Sequence, residues 1–195
     1  MRIEDQIKKS EQLIQWMDAC IGEPTTSSDI RSRLSGTCLA VAREHQKAIV
    51  LLIANQLCGS AYALVRAQFE SYVRGTWLHH CALDSDLERF QADKLKRSFA
   101  SLVADIEKHP GFEDGYLSAV TRKSWDAMCS YAHTGSLQMA RWNTEDEIGH
   151  NYKEDELVEV IDYTNALAIL ASIGIALLAK DDALASRLLA KGREL

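Results

Sequence analysis

Apolar residues recur at three- and four-residue intervals along most of this chain, and no segment alternates with period two. The pattern predicts helices throughout. A first helix is expected from about Ile3 to Cys20, with Ile3, Ile7, Leu13, Ile14 and Met17 inward, ending before the turn-rich GEPTTSS. Ser27 or Ser28 caps a second, which begins near Asp29 and continues to about Cys58, with a bend allowed at Gly36 and Thr37. Its AIVLLIANQL stretch is apolar nearly all round and reads as buried. Gly59 and Ser60 then open a third helix, SAYALVRAQFESYVRGTWLHHCA.

Leu83 to Asp86 is the next break. One charged helix is expected after it, DLERFQADKLKRSFASLVADIEKH, with Arg89, Asp93 and Arg97 at i,i+4 spacing on a solvated face. HPGFEDG reads as a loop. A helix from about Tyr116 to His133 follows, stopped by Gly135 as a left-handed cap. WNTEDEIGHNYKED reads as a surface loop. The last long helix, about Glu154 to Lys180, contains NALAILASIGIALLA, where Ala168, Ser172 and Ala176 are spaced for close approach of a neighbour. DALASRLLAKGREL closes the chain as a short helix.

These elements predict an all-α fold, a single antiparallel bundle of five to seven helices, as one domain over residues 1–195. An apolar helix face makes a homodimer the expected assembly. The apolar run near residue 170 falls short of the roughly 18 residues of a membrane span and follows Glu159 and Asp162. It is therefore expected at the bundle core, with no membrane partner. The charged, amphipathic N-terminus does not have the form of a secretory signal. Five cysteines without CxxC spacing suit free thiols in a reducing cytoplasm. A net charge of −6 argues against a general nucleic-acid coat but leaves room for a local basic cleft.

No phosphate-cradling glycine loop, nucleophile elbow or HExxH occurs. Cys129 with His133, and His79 beside His80, are pairs without an evident third ligand, so no metal and no cofactor are expected. The informative segment is the third helix. Arg66, Glu70, Arg74, Trp77 and His80 fall within about 120° of one another, on the side that also carries Phe69 and Val73. Two guanidinium groups and a carboxylate among bulky apolar residues are costly unless they pair with each other or with something bound. A second polar cluster comprises His133, Gln138 and Arg141, with Arg122, Asp126 and Ser130 on the helix that precedes it. At a helix C-terminus the dipole favours a protonated His133. Brought together, the clusters would suit an anionic ligand or a phosphodiester, since arginine forks match phosphate oxygens. The alternative is an ion pair that fixes helix register in a non-enzymatic interaction module.

RAQFESYVRGTW followed by YAHTGSLQ resembles a set of bacterial helical proteins, domains of unknown function, in which an R-x3-E helix with a following tryptophan precedes a His-x-Gly segment. The matching residues are Arg66, Glu70, Arg74, Trp77, His133 and Gly135, over roughly residues 60 to 140. That set is similar in turn to HEPN-type helical bundles of bacterial defence and toxin systems. Many of those are metal-independent ribonucleases with an Arg-x4-6-His motif at a dimer interface. The resemblance implies RNA as substrate, Arg66, Glu70, Arg74 and His133 as catalytic residues, and Trp77, His80, Gln138 and Arg141 as substrate contacts. Arg74 to His79 or His80 also has the Arg-x4-6-His spacing, but five or six helical steps set those side chains about 120–140° apart. They converge only if the helix bends at Gly75.

Overall fold

The structure is a computed structural model that describes residues 2–22, 29–143 and 147–194. Nine α-helices occur among the described residues: α1 Ile3–Ile21, α2 Ile30–Ala54, α3 Cys58–His80, α4 Asp84–Gln91, α5 Phe99–Ile106, α6 Tyr116–Ala132, α7 Ser136–Ala140, α8 Glu154–Leu178 and α9 Asp182–Gly192. The all-α bundle is thus as expected, with two more helices than the upper estimate. One arises from the charged segment, which is two helices and not one. Asp93 takes a left-handed φ of 55°, and Ser98 accepts a hydrogen bond from the Ser101 N–H to cap α5. With the chain broken there, the i,i+4 relation through Asp93 cannot form; Arg97 turns instead to Asp105 at 2.7 Å. The other addition is the five-residue α7.

Long helices form the centre. α2 packs along α3 and α8, and α1 and α9 close over α8. Leu39 of α2 is a knob set against two glycines. A Cβ on Gly75 would stand 2.8 Å from Leu39 Cγ, and one on Gly174 would stand 2.8 Å from Leu39 Cδ1. Glycine is needed at both positions for this approach, and the Ser35 hydroxyl donates to the Gly75 carbonyl at 2.6 Å. Gly75 therefore serves packing, and α3 continues through it to His80. α2 is likewise continuous through Gly36 and Thr37, and the cap at its start is Asp29, which accepts from the Ser32 N–H. Ser27 and Ser28 lie outside the described residues. Within AIVLLIANQL, Ile49, Val50 and Ile53 are buried but Leu51 is 65% exposed, so one side of this stretch faces out.

The core is built by α2, α3, α5, α6 and α8 around Trp77, Phe69, Leu39 and Ile161. A smaller cluster sits between α1, α8 and α9, where Ala168, Ser172-side packing and Ala176 admit Leu13 and Met17. α8 is 25 residues long and apolar enough to cross a membrane by length and composition, and it packs on α1, α2, α3 and α9. All five cysteines are free thiols.

Candidate functional site

α3 projects Arg66, Glu70 and Arg74 from successive turns, and Arg66 reaches α6. Glu70 bridges the two arginines: its Oε1 accepts from Arg66 Nε at 2.7 Å and its Oε2 from Arg74 Nη2 at 3.4 Å. The Arg66 guanidinium lies over the Trp125 ring, 4.9 Å from its centroid. Beneath it, Trp125 stacks on Phe99, which meets the fully buried Phe69 edge-on. This aromatic floor is contributed by α3, α5 and α6. It confines the stem of Arg66 while its charged end stays in reach of solvent, as amphipathic side chains prefer.

His133 completes the cluster. Arg66 Nη1 stands 2.5 Å from His133 Nε2, joining residues 67 positions apart. Arginine is only a donor, so in this contact Nε2 accepts and the ring proton is on Nδ1. His133 is the residue after α6, where its N–H still reaches Cys129 at 3.0 Å. The left-handed residue that ends α6 is Thr134, at φ 54°, and not Gly135. Gly135 is needed for a different reason: a Cβ there would meet Ser130 Oγ at 2.6 Å. That closeness turns the chain and presents His133 toward α3.

Two cations and one anion leave the Arg66–Glu70–Arg74 set at a formal +1, in a chain whose net charge is −6. Arg74 is 42% exposed and Arg66 and Glu70 each 22%, so the cluster is open at one side. Arg66 uses Nε and Nη1; its Nη2 has no protein partner among the described residues. Such a set offers unused guanidinium N–H groups, donors whose geometry matches the oxygens of an oxyanion, with a ring nitrogen beside them.

Four of the residues read from the sequence lie elsewhere. Trp77 is 1% exposed; its indole donates to Asp105 at 3.3 Å, and Arg97 covers its ring. His80 packs against His79, His109 and Phe112 at the far end of α3. Burial, then the neighbouring His79 and His109, push its imidazole down to about 4. Because α3 is unbroken, Arg74 and the histidine pair stay on different sides of it. Gln138 and Arg141 fasten α7 to the bundle. Gln138 Nε2 would be 2.7 Å from a Cβ on Gly59, at the first turn of α3. Arg141 donates to Glu156 at 2.6 Å, to Tyr131 Oη at 3.3 Å and to the Asn151 carbonyl at 3.2 Å. Glu156, and after it Tyr131, hold this guanidinium above its ordinary value. Burial opposes the charge on Glu156, but Arg141 and the Lys153 N–H outweigh it and keep the carboxyl below its usual range. Arg122 and Asp126 are exposed on α6, and Ser130 Oγ accepts from the Leu137 N–H.

Sequence reasoning missed Trp125. Its signal was present: it lies eight residues before His133, close to two full helical turns, and so falls near the same side of α6. Among the described residues no three His, Cys, Asp or Glu side chains gather closely enough to hold a metal ion.

The fold and this cluster define a helical bundle with a paired-arginine, glutamate and histidine surface. Residues 39–194 match a family described as a family of unknown function, DUF6988, and the chain belongs to it. No curated protein and no solved structure matches the chain.

Proposed function

We propose that this protein is a metal-independent ribonuclease of HEPN-like type, acting at Arg66, Glu70, Arg74 and His133. The observation that carries the reading is the 2.5 Å approach of Arg66 Nη1 to His133 Nε2 beside the Glu70 bridge. RNA cleavage without a metal needs a group that takes the 2′-hydroxyl proton and cations for the charge that develops on the phosphate. The incoming 2′-hydroxyl displaces the Arg66 N–H from His133 Nε2, which then takes its proton. The 2′-oxygen then attacks phosphorus, the bond from phosphorus to the 5′-oxygen breaks, and the leaving oxygen receives a proton from the imidazolium. A 2′,3′-cyclic phosphate and a 5′-hydroxyl result. Arg66 and Arg74 hold the non-bridging oxygens, while Glu70 keeps both guanidinium groups in register. A phosphate taken up by Arg66 Nη1 would lie beside Nε2, the proximity the step requires. In this reading the chain works as a cytoplasmic homodimer in a bacterial defence or toxin setting.

A second reading, a non-enzymatic protein-interaction module, is favoured by a different observation. Leu137, Met139, Trp142 and Ile148 are all exposed on α7 and the segment after it, Ile148 by 87%. The test that separates the readings is incubation of the purified chain with mixed RNA in excess chelator. Cyclic-phosphate ends are expected, falling about 100-fold or more in a folded His133→Ala variant. Intact RNA at high protein concentration would reject the nuclease and favour the module.

A further inference from the structure

A cleft of about 410 Å³ opens between α3, α6 and α8, next to the arginine cluster but outside it. That volume is within the range of small-molecule sites. Its walls are Val65, Met128 and Val160 with the rings of Tyr62, Tyr131 and Tyr163. Tyr62 and Tyr131 touch, with ring centroids 4.7 Å apart. At one end stand Arg141 and Glu156; Lys123 lies about 12 Å along α6 from Tyr131, and Glu159 also lines the cleft. Two cations and two anions cancel here, in contrast to the positive set at Arg66. The cleft is therefore a poor trap for a phosphate. It suits a flat, uncharged ring whose edge carries both donors and acceptors.

The Arg141–Glu156 pair has the matching edge. Arg141 spends one N–H at each of three partners, which leaves two N–H groups without a partner among the described residues and fixes the direction of the fork. Glu156 is charged and accepts only, and the Tyr62 and Tyr131 hydroxyls both donate and accept. Aromatic walls stack on any base, and such an edge reads its polar rim. We propose that this cleft is a nucleobase-binding subsite. Tyr62 is one helical turn from Arg66, and Tyr131 two residues from His133, so base and phosphate sites are neighbours on both helices. That the base belongs to the RNA being cleaved rests on the ribonuclease reading above.

The test titrates the full chain with adenosine, guanosine, cytidine and uridine, and with their 3′-phosphates, by calorimetry and by protein NMR. At least one nucleoside should bind saturably at millimolar concentration or below, shifting resonances of Tyr62 and Tyr131. Ala127→Phe, which fills the cleft, should weaken binding by about tenfold or more; Val160→Phe serves if the first variant melts early. The 3′-phosphate should tighten binding, and Arg66→Met should remove that gain but retain nucleoside binding. Absence of saturable nucleoside binding overturns the proposal, as does unchanged binding in a folded, filled variant. Nucleoside binding without any RNA cleavage upholds the base site and removes only its assignment to an RNA substrate.

Discussion

Among the polar groups that interrupt the apolar bundle, two have partners that differ in kind. Between α1, α2, α3 and α8, Ser10, Gln46, Gln68, Thr164 and Asn165 are neutral and buried. Asn165 Oδ1 accepts from Ser10 Oγ at 2.6 Å and from Gln46 Nε2 at 2.7 Å, and Gln68 exchanges hydrogen bonds with the Thr164 hydroxyl and carbonyl. Between α3 and α6 the groups are charged, half-exposed and short of acceptors: one carboxylate serves two arginines. A neutral amide buried with its partners specifies which turn of one helix faces which turn of the next, because any slip strands a donor. An open charged set does little for register, since solvent screens it. The first group holds the bundle together; the second is available to a ligand.

The largest effect should come from the interior. Asn165→Leu removes the acceptor shared by Ser10 and Gln46 and leaves two buried donors unpaired, each costing about 1–3 kcal/mol. Urea denaturation should show a loss of about 3 kcal/mol with the slope unchanged. A loss below about 1 kcal/mol would mean that water or rearranged amides replace the lost acceptor, and the contrast between the regions would weaken.

Replacing the charged set should have a smaller effect on stability. An Arg66→Met, Glu70→Leu double variant deletes the pair and its solvent-facing charge, and Arg74 is exposed enough to be hydrated alone. The expected cost is within about 1 kcal/mol by the same urea measurement. RNA cleavage, by contrast, should fall about 100-fold or more. A variant that folds and retains full cleavage would remove the cluster from the mechanism. One that unfolds would transfer Arg66 and Glu70 to the structural group.

How much of this was legible in the chain follows from the range of the forces involved. Helix positions depend on local periodicity, so α1, α3, α6 and α8 were readable to within a turn. The i,i+4 bridge of Arg66, Glu70 and Arg74 lies within one helix and was readable too. The break after Gln91 was not, although Ser98 followed by Ser101 is a cap signal inside a strongly helical composition. Contacts between helices were beyond reach. Nothing in α3 alone says that Arg66 rests on Trp125, that Trp77 turns inward to Asp105, or that Leu39 is seated between Gly75 and Gly174. The buried amides were overlooked for a related reason: glutamine and asparagine at inward positions resemble errors in an apolar pattern until their partners on other helices are known.

The smallest effect concerns the far end of α3, and it extends the comparison to a third polar group, one that is charge-averse. Burial pushes His80 from 6.5 down to about 4, with His79 and His109 adding to the shift, and burial followed by the Arg31 charge pushes His79 down as well. His79 Nδ1 is buried without a hydrogen-bond partner among the described residues. Below pH 6.5 the unfolded chain takes up protons that folded His80 refuses until about pH 4, so unfolding is favoured progressively across that window. Stability should therefore fall as the pH is lowered from 6.5 toward 4, modestly because the site is half-exposed. Asp162, raised by burial, contributes a slope of opposite sign above 3.8, which makes the wild-type profile alone ambiguous. His80→Gln cannot titrate and should show a shallower decline between those pH values in matched urea melts, while Asp162 affects both proteins equally. An identical decline in the two proteins would place the acid sensitivity elsewhere and leave His80 as a packing residue.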